Sequence, residues 1–508
     1  MLLISSFPCQ SYDEFSLYVC CNDLFRRFPH PTGESVMSAE AIATLALAET
    51  RPEVFWLDQP ERPEPSPCLD TDLNVDLVVV GGGFTGLWTA LTAIEADPGR
   101  SIVVLEADTI AFGASGRNGG FCEASLTHGL ENGVGHWPAE VDKLLHLGDE
   151  NLQGLLDAIR RHDIDCSPEP TGALNVAVTP WQADSLLDSA SLHEAHGMSV
   201  TLLDAASTRS QVNSPTYLGG AWHPDGVVML DPARLAWGLR RAVESLGVRF
   251  FENTPARSIE AIGGSGATGV RIRTDTGAVT ARRAVVATNA FRPPIRRIRR
   301  YVAPVYDHVL VTEPLSADQL SAIGWSNRQG LSDMGSQFHY YRLTADDRIL
   351  WGGWDALYHF GNRVGPAVEH SPGTSRMLAT HFFETFPQLE GLSFTHRWSG
   401  PIATTSRFTC AWGTSHNGAV AWAAGYTGLG VAASRFGARV ALDLVDGRAT
   451  ERTELEMVRR SPFPFPPEPL RWPAIQITRR AIQRSDQRGG KRGPWLALLD
   501  KFGIGFDS

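Results

Sequence analysis

Residues 76–96 read DLVVVGGGFTGLWTALTAIEA, and this stretch decides the fold. Leu77–Val80 is an unbroken apolar run, the composition of a parallel strand buried on both faces. Gly81, Gly83 and Gly86 then stand in G-x-G-x-x-G spacing, and a helical run opens at once. The first glycine makes the tight turn, the second lets backbone approach a pyrophosphate, and the third lets the helix pack on the strand. The helix N-terminus, with Phe84 and Thr85, offers free N–H groups and a positive dipole end to phosphate. A second buried strand, SIVVLEAD (101–108), carries Glu106 and Ala107. Glu106 stands 20 residues after Gly86, where a carboxylate accepts hydrogen bonds from ribose hydroxyls. Strand, glycines, helix, second strand and acid agree on a dinucleotide-binding βαβ unit. NAD and FAD both use this turn, so these residues leave that choice open.

The rest of the chain is ordinary globular material. It has 508 residues, 43% hydrophobic and 20% charged, enough for more than one core. Its net charge of −11 repels phosphate backbones, which argues against nucleic-acid binding. The seven cysteines form no metal-type spacing and fit a reducing compartment better than a disulfide framework. The start, MLLISSFPCQSYDEF, has no basic region of a signal peptide. The uncharged stretch before Arg435 is broken by Gly425, Gly428 and Gly430, a turn pattern and not a membrane span. The cytoplasm is the expected compartment.

Residues 1–73 read as an N-terminal extension, poorly patterned up to residue 36, and a Pro-rich linker anchored by Phe55 and Trp56. Helices are expected over 139–162, 234–246 and 374–386, and strands dominate from Val302 to Trp354. The tail, 451–508, is basic against an acidic chain. It has a Pro-rich stretch, SPFPFPPEPL, then helical pieces ending in WLALLDKFG. Trp495, Leu496, Leu498 and Leu499 make a small apolar face. That face fits either a helical appendage packed on the body or a membrane-surface or partner-docking element.

Four segments carry a resemblance to a known family: VVVGGGFTGLWTA with LEAD, GASGRNGG (113–120), the pair FENTPARSIE and AVVATNA, and Trp398-x-Gly400 followed by AAGYTGLGV. Over Asp76–Gly447 the chain resembles the D-amino acid oxidase-like FAD-dependent oxidoreductases, nearest the γ-glutamylputrescine oxidoreductase branch. The resemblance implies an α/β protein with a Rossmann-type FAD-binding domain interleaved with a mixed-sheet α+β substrate domain. The FAD domain is expected at 74–125, 216–292 and 395–450, and the substrate domain at 126–215 and 293–394. Ser115, Gly116, Arg117, Asn118 and Gly119 should wrap the pyrophosphate and the flavin face, where Arg117 can neutralise phosphate. Ala256 should contact adenine through its backbone. Thr288 and Asn289 should lie near the pyrophosphate, and Gly425, Tyr426, Thr427 and Gly428 at the pyrimidine side of the flavin. Some relatives bind FAD through a Cys soon after W-x-G. Here that stretch is PIATTSR, and Cys410 falls late, so FAD should be non-covalent.

The implied chemistry is hydride transfer from an amine to flavin, giving an imine that hydrolyses to an aldehyde or keto product. The candidate catalytic residues are His223, Tyr306, His308 and Arg342. Tyr306 and His308 alternate on one strand, and Arg342 follows His339 and Tyr341 in FHYYRLT. Trp351 and Trp354 add aromatic surface suited to an amine or its cation. The position of a carboxylate-binding Lys in sarcosine-oxidase relatives is Ala432, and the strand ILWGGW lacks their oxygen-activating Lys. A simple α-amino acid substrate is therefore disfavoured, and the electron acceptor, oxygen or another, stays open. Two rivals remain: an N-methyl or D-amino acid oxidase, and a non-catalytic flavin-binding subunit of a larger assembly.

Overall fold

Strand Leu73–Val80 sits at the centre of a twisted sheet because all its neighbours on both sides run parallel to it. The computed structural model describes residues 38–263 and 269–504. The N-terminal segment with Cys9, Cys20 and Cys21, and the last four residues of the tail, lie outside the described residues. From Ala39 onward the chain is one compact unit.

The first sheet has eight strands, with a parallel core ordered Val420–Ala424, Ala278–Val286, Leu73–Val80, Ile102–Leu105, Arg249–Phe251. Chain order runs outward from Leu73–Val80 first to one side, then to the other. Its C-terminal end is therefore the topological switch point where dinucleotides bind. Helix Phe84–Ala96 leaves that strand through the glycine turn. A Cβ on Gly86 would lie 1.9 Å from the Gly81 carbonyl oxygen, so only glycine lets helix and strand pack this closely. Helices Pro232–Ser245 and Gly430–Val445 flank helix Phe84–Ala96 and bury its apolar residues into one core.

The second sheet has nine strands and mixes parallel and antiparallel pairs. Its long edge pair is Ala303–Thr312 against Phe394–Thr404. Two of its strands fall inside segments expected in the nucleotide domain. Gly219–His223 pairs with Ala173–Ala177, and Phe394–Thr404 pairs with Ala303–Thr312. The expected boundary at 395 thus runs through one substrate-sheet strand, and the one at 216 falls just ahead of another. The glycines and prolines around these strands mark turns but do not record which of the two sheets the strand between them joins.

The helical segments fall close to expectation, at Val141–Arg161, Pro232–Ser245 and Pro372–Thr385. Helix Pro180–Ala195, started by a Thr179–Gln182 capping box, was not anticipated. In the linker, Trp56 is buried and donates its indole N–H to the Asn118 carbonyl at 2.8 Å. The linker is therefore stapled to the back of the 113–120 loop.

Candidate functional site

A single cavity of about 1690 Å³ runs from the glycine turn, along the join between the two sheets, to the C-terminal tail. Small-ligand pockets typically hold about 300–1,000 Å³. This one has room for a dinucleotide and a second molecule.

The nucleotide end is set by backbone geometry. Gly81 has φ +116°, and a Cβ there would meet the Ala287 carbonyl oxygen at 2.6 Å. Gly83, Phe84 and Thr85 line the cavity, and a Cβ on Gly83 would press to 2.9 Å from the Ser115 hydroxyl. Ser115 Oγ accepts from the Phe84 N–H at 2.9 Å in the first turn of the helix. Glu106 accepts from the Gly82 N–H at 2.6 Å and the Asp108 N–H at 2.9 Å, and burial raises its pKa. It braces the turn while sharing the cavity wall with Ala107, Ala256 and Thr288.

The 113–120 loop holds its own shape. The Asn118 side chain donates to the Ala114 and Ser115 carbonyls and accepts from the Gly120 N–H. Gly116 turns inward, where a Cβ would lie 2.4 Å from the Ala111 carbonyl oxygen. Ser115, Arg117, Asn118 and Gly119 line the cavity. Arg117, however, spends its guanidinium on the Phe112 and Ser399 carbonyls and on Glu369 at 3.1 Å. It clamps the loop to the second sheet, and its charge is already matched. An Arg117 that neutralises phosphate, as the resemblance implies, would have to share its guanidinium with Glu369.

The opposite wall is a second glycine turn. Asn289, at φ +45°, accepts from the Gly425 N–H at 3.0 Å and couples the turn to strand Ala278–Val286. Thr427 and Gly428 line the cavity, and the Tyr426 hydroxyl receives the Thr85 hydroxyl hydrogen at 2.9 Å. Gly437 leaves room for that phenol, since a Cβ there would lie 2.2 Å from its oxygen. Cys410 is buried outside this cavity, and burial raises its thiol pKa.

At the substrate end, two strands present the face opposite to the one anticipated. Along Ala303–Thr312 the cavity is lined by Ala303, Val305 and Asp307. Tyr306 and His308 point to the other side. There the Tyr306 hydroxyl accepts from the Gly365 N–H at 2.8 Å, and buried His308 is pushed down to about 4 by desolvation. On His339–Leu343 the cavity residue is Tyr340. Its neighbour His339 is bound by Asp333 at 2.6 Å, and the Tyr341 hydroxyl meets that of Tyr217 at 2.8 Å. Arg342 is buried behind the flavin loop and donates to the Leu230 carbonyl at 2.8 Å, to Leu343 at 3.0 Å and to Gly120 at 3.4 Å. It props the loop and does not line the cavity. His223 does line it, its ring tilted against that of His193 at 4.8 Å, and burial pushes it down to about 4.

Asp307, Tyr340 and Glu123 were not anticipated. The Tyr340 hydroxyl donates to the Asp307 carboxylate. Burial pushes Asp307 up to about 6, with Tyr340 pulling it back, and burial pushes Glu123 up to about 7. The one sequence signal for Asp307 is a carboxylate inside a mostly apolar strand. This cavity end is acidic and aromatic, the surroundings a cationic amine requires.

A glycine cradle with a carboxylate at the second strand's end, opening into a second chamber, defines a two-substrate dinucleotide enzyme. A family model described as FAD dependent oxidoreductase (DAO) matches residues 76–444, and the chain belongs to that family. The γ-glutamylputrescine oxidoreductase of Escherichia coli is 32% identical over 409 residues, covering 79% of this chain and 90% of that one. A probable oxidoreductase, OrdL, of Haemophilus influenzae is 27% identical over 410 residues, covering 77% and 88%. The fold matches glycine oxidase from Geobacillus kaustophilus with TM-score 0.62 at 19% identity, over 75% of this chain and 96% of that one. Iminodiacetate oxidase from Chelativorans gives TM-score 0.59 at 17% identity, over 76% and 98%. The chain is an FAD-dependent oxidoreductase acting on C–N bonds, and the cradle's bare glycines and cavity volume fit that cofactor.

Proposed function

We propose that the chain oxidises an amine without an α-carboxylate, and that Asp307 binds the substrate ammonium and receives its proton. The observation that carries this reading is the Tyr340–Asp307 pair on the cavity wall beside the flavin loop. Bound FAD, held non-covalently, supplies the hydride acceptor. The chain's own residues prepare the substrate. An ionised Asp307 stabilises the ammonium, then takes one proton and frees the nitrogen lone pair. Tyr340 donates a hydrogen bond that stabilises the charged carboxylate. His223, pushed down to about 4, is neutral at pH 7 and adds no charge to repel a cation. Loss of hydride from Cα leaves an iminium, and water converts it to carbonyl product and ammonium. The buried Ala432 offers no cation for an α-carboxylate. Oxygen or another acceptor completes the cycle, in a reducing compartment such as the cytoplasm.

An anaerobic flavin-reduction screen over polyamines, γ-glutamyl amines and amino acids tests this. Amines lacking an α-carboxylate should reduce the flavin, and Asp307→Asn should slow reduction about 10²–10⁴-fold. Unchanged rates in Asp307→Asn would remove Asp307 from the chemistry.

A further inference from the structure

The family match ends at residue 444, yet the cavity continues into residues beyond it. Helix Arg471–Gln487 and helix Pro494–Asp500 lie over the substrate end and are tied down at several points. Asp486 accepts from the Gln337 N–H at 2.9 Å, and Arg471 donates to Asn362 at 2.7 Å. Trp495 donates its indole N–H to the Thr478 hydroxyl at 2.9 Å, joining the two helices.

The inner face of this tail is hydrocarbon. Ile475, Ile482, Trp495, Leu496 and Leu499 line the cavity, as do Leu130, Leu144 and Leu145 of the body. Three tail arginines also reach the wall, and each is already engaged. Arg479 pairs with Asp355, Arg492 with Asp500, and Arg471 is held by Asn362 and the Pro466 carbonyl. The two ion pairs cancel, and Arg471, held by neutral acceptors, is the one tail arginine on the wall whose contacts here include no carboxylate.

Resting on the amine-oxidation reading above, we infer that the tail is the specificity wall of the substrate chamber and takes a hydrocarbon arm of the amine. The substrate class is then a long-chain alkyl or aralkyl amine. An arm ending in a second ammonium would be desolvated against Trp495 and Leu499, where Asp355 and Asp500 are already paired with arginines. Each methylene placed against the wall should tighten binding about fourfold, the equivalent of ~0.8 kcal/mol per buried CH₂.

The test uses the full-length holoenzyme and two readouts. The first is stopped-flow anaerobic flavin reduction by n-butylamine through n-octylamine, phenethylamine, putrescine and γ-glutamylputrescine. The expected result is affinity rising along the alkyl series, with octylamine and phenethylamine ahead of the doubly functional amines. Trp495→Ala and Leu499→Ala should flatten that series, while Trp495→Phe restores it. Leu498→Ala, on the exposed outer face of the same helix, should leave it intact. A flat series in the parent enzyme, a preference for putrescine or γ-glutamylputrescine, or an unflattened series in Trp495→Ala overturns the inference. The second readout is tryptic release of the tail, followed by mass spectrometry, at exposed Arg480, Arg484 and Arg488. Octylamine should slow release at least several-fold more than putrescine does. If no amine reduces the flavin, the oxidation reading falls by itself. Slowed release would then still support the hydrocarbon site, and unslowed release would overturn it.

Discussion

Tyr340 reaches Asp307 across an intervening strand because Gly352 between them has no side chain. Tyr340 lies opposite Gly352 in the register of their strands, and a Cβ on Gly352 would meet the Tyr340 ring carbon Cζ and hydroxyl at 2.6 Å. On its other side the same ring meets Gly119 of the flavin loop, where a Cβ would also fall 2.6 Å away. The phenol is thus sandwiched between two bare glycines and aimed at one carboxylate.

Gly352→Ala should push the ring aside. The overpacking costs about 1–3 kcal/mol and the hydrogen bond to Asp307 is lost. Urea unfolding should show the stability loss, and flavin reduction should slow as in Tyr340→Phe. Normal reduction in a destabilised Gly352→Ala protein would separate the pair from the chemistry.

The Asp307 carboxyl, pushed up to about 6 by burial, must be ionised to take a proton. Flavin reduction should therefore switch on as pH rises through about 6. Tyr340→Phe removes a donor that favours the charged form, so the switch should move to higher pH. A pH profile of the reduction rate decides, and an unmoved acid limb in the variant would sink the assignment.

The same carboxyl should weaken the fold. Below its unfolded value near 3.8 both states carry the proton and no cost arises; above about 6 the folded state holds a buried charge. The contribution to stability is lost as pH rises between those values. Asp307→Asn should be more stable than the parent by about 1–3 kcal/mol at pH 8 and equal to it near pH 3.5. Denaturant midpoints at the two pH values check this. A variant that is slower yet no more stable at pH 8 would mean the charge is not desolvated.

Glu106→Ala frees the Gly82 and Asp108 N–H groups from their only side-chain acceptor among the described residues. Leaving such donors unpaired costs about 1–3 kcal/mol. FAD occupancy should fall while the folded protein survives, measured by titrating apo-protein with FAD. Acid precipitation of the parent should leave yellow FAD in the supernatant. Flavin retained by the pellet would show a covalent link.

The nucleotide end was legible in the sequence because its demands are local. A positive φ at Gly81 and a 1.9 Å approach at Gly86 leave no other residue possible, and the chain records this in its spacing. The substrate end was legible only in outline. The strands that carry it were found, but with the wrong parity: Tyr306 and His308 were favoured where Asp307 faces the cavity, and His339 and Tyr341 where Tyr340 does. Both faces of these strands are buried, so alternation marks no outside, and a shift of one residue exchanges the faces. Arg342 misled for a related reason. A guanidinium aimed at carbonyls of distant loops leaves no mark on its own neighbours in sequence. The apolar face at Trp495, Leu496 and Leu499 was visible as a pattern. What it rests against depends on contacts with the distant body, which no local pattern records.

The tail's position also bears on how the protein is born. Among the described residues every strand of the nucleotide sheet precedes residue 425, and the two helices on the cavity's outer wall come after residue 470. On the ribosome the cradle therefore emerges before its cover. At about 5–20 residues per second, the residues between them take roughly 2–9 s to synthesise. During that interval the nascent chain has its flavin-binding turns in place and one side of the cavity still open. A chain stalled before residue 470 lacks the tail helices' side of the cavity and should take up flavin faster than the complete one.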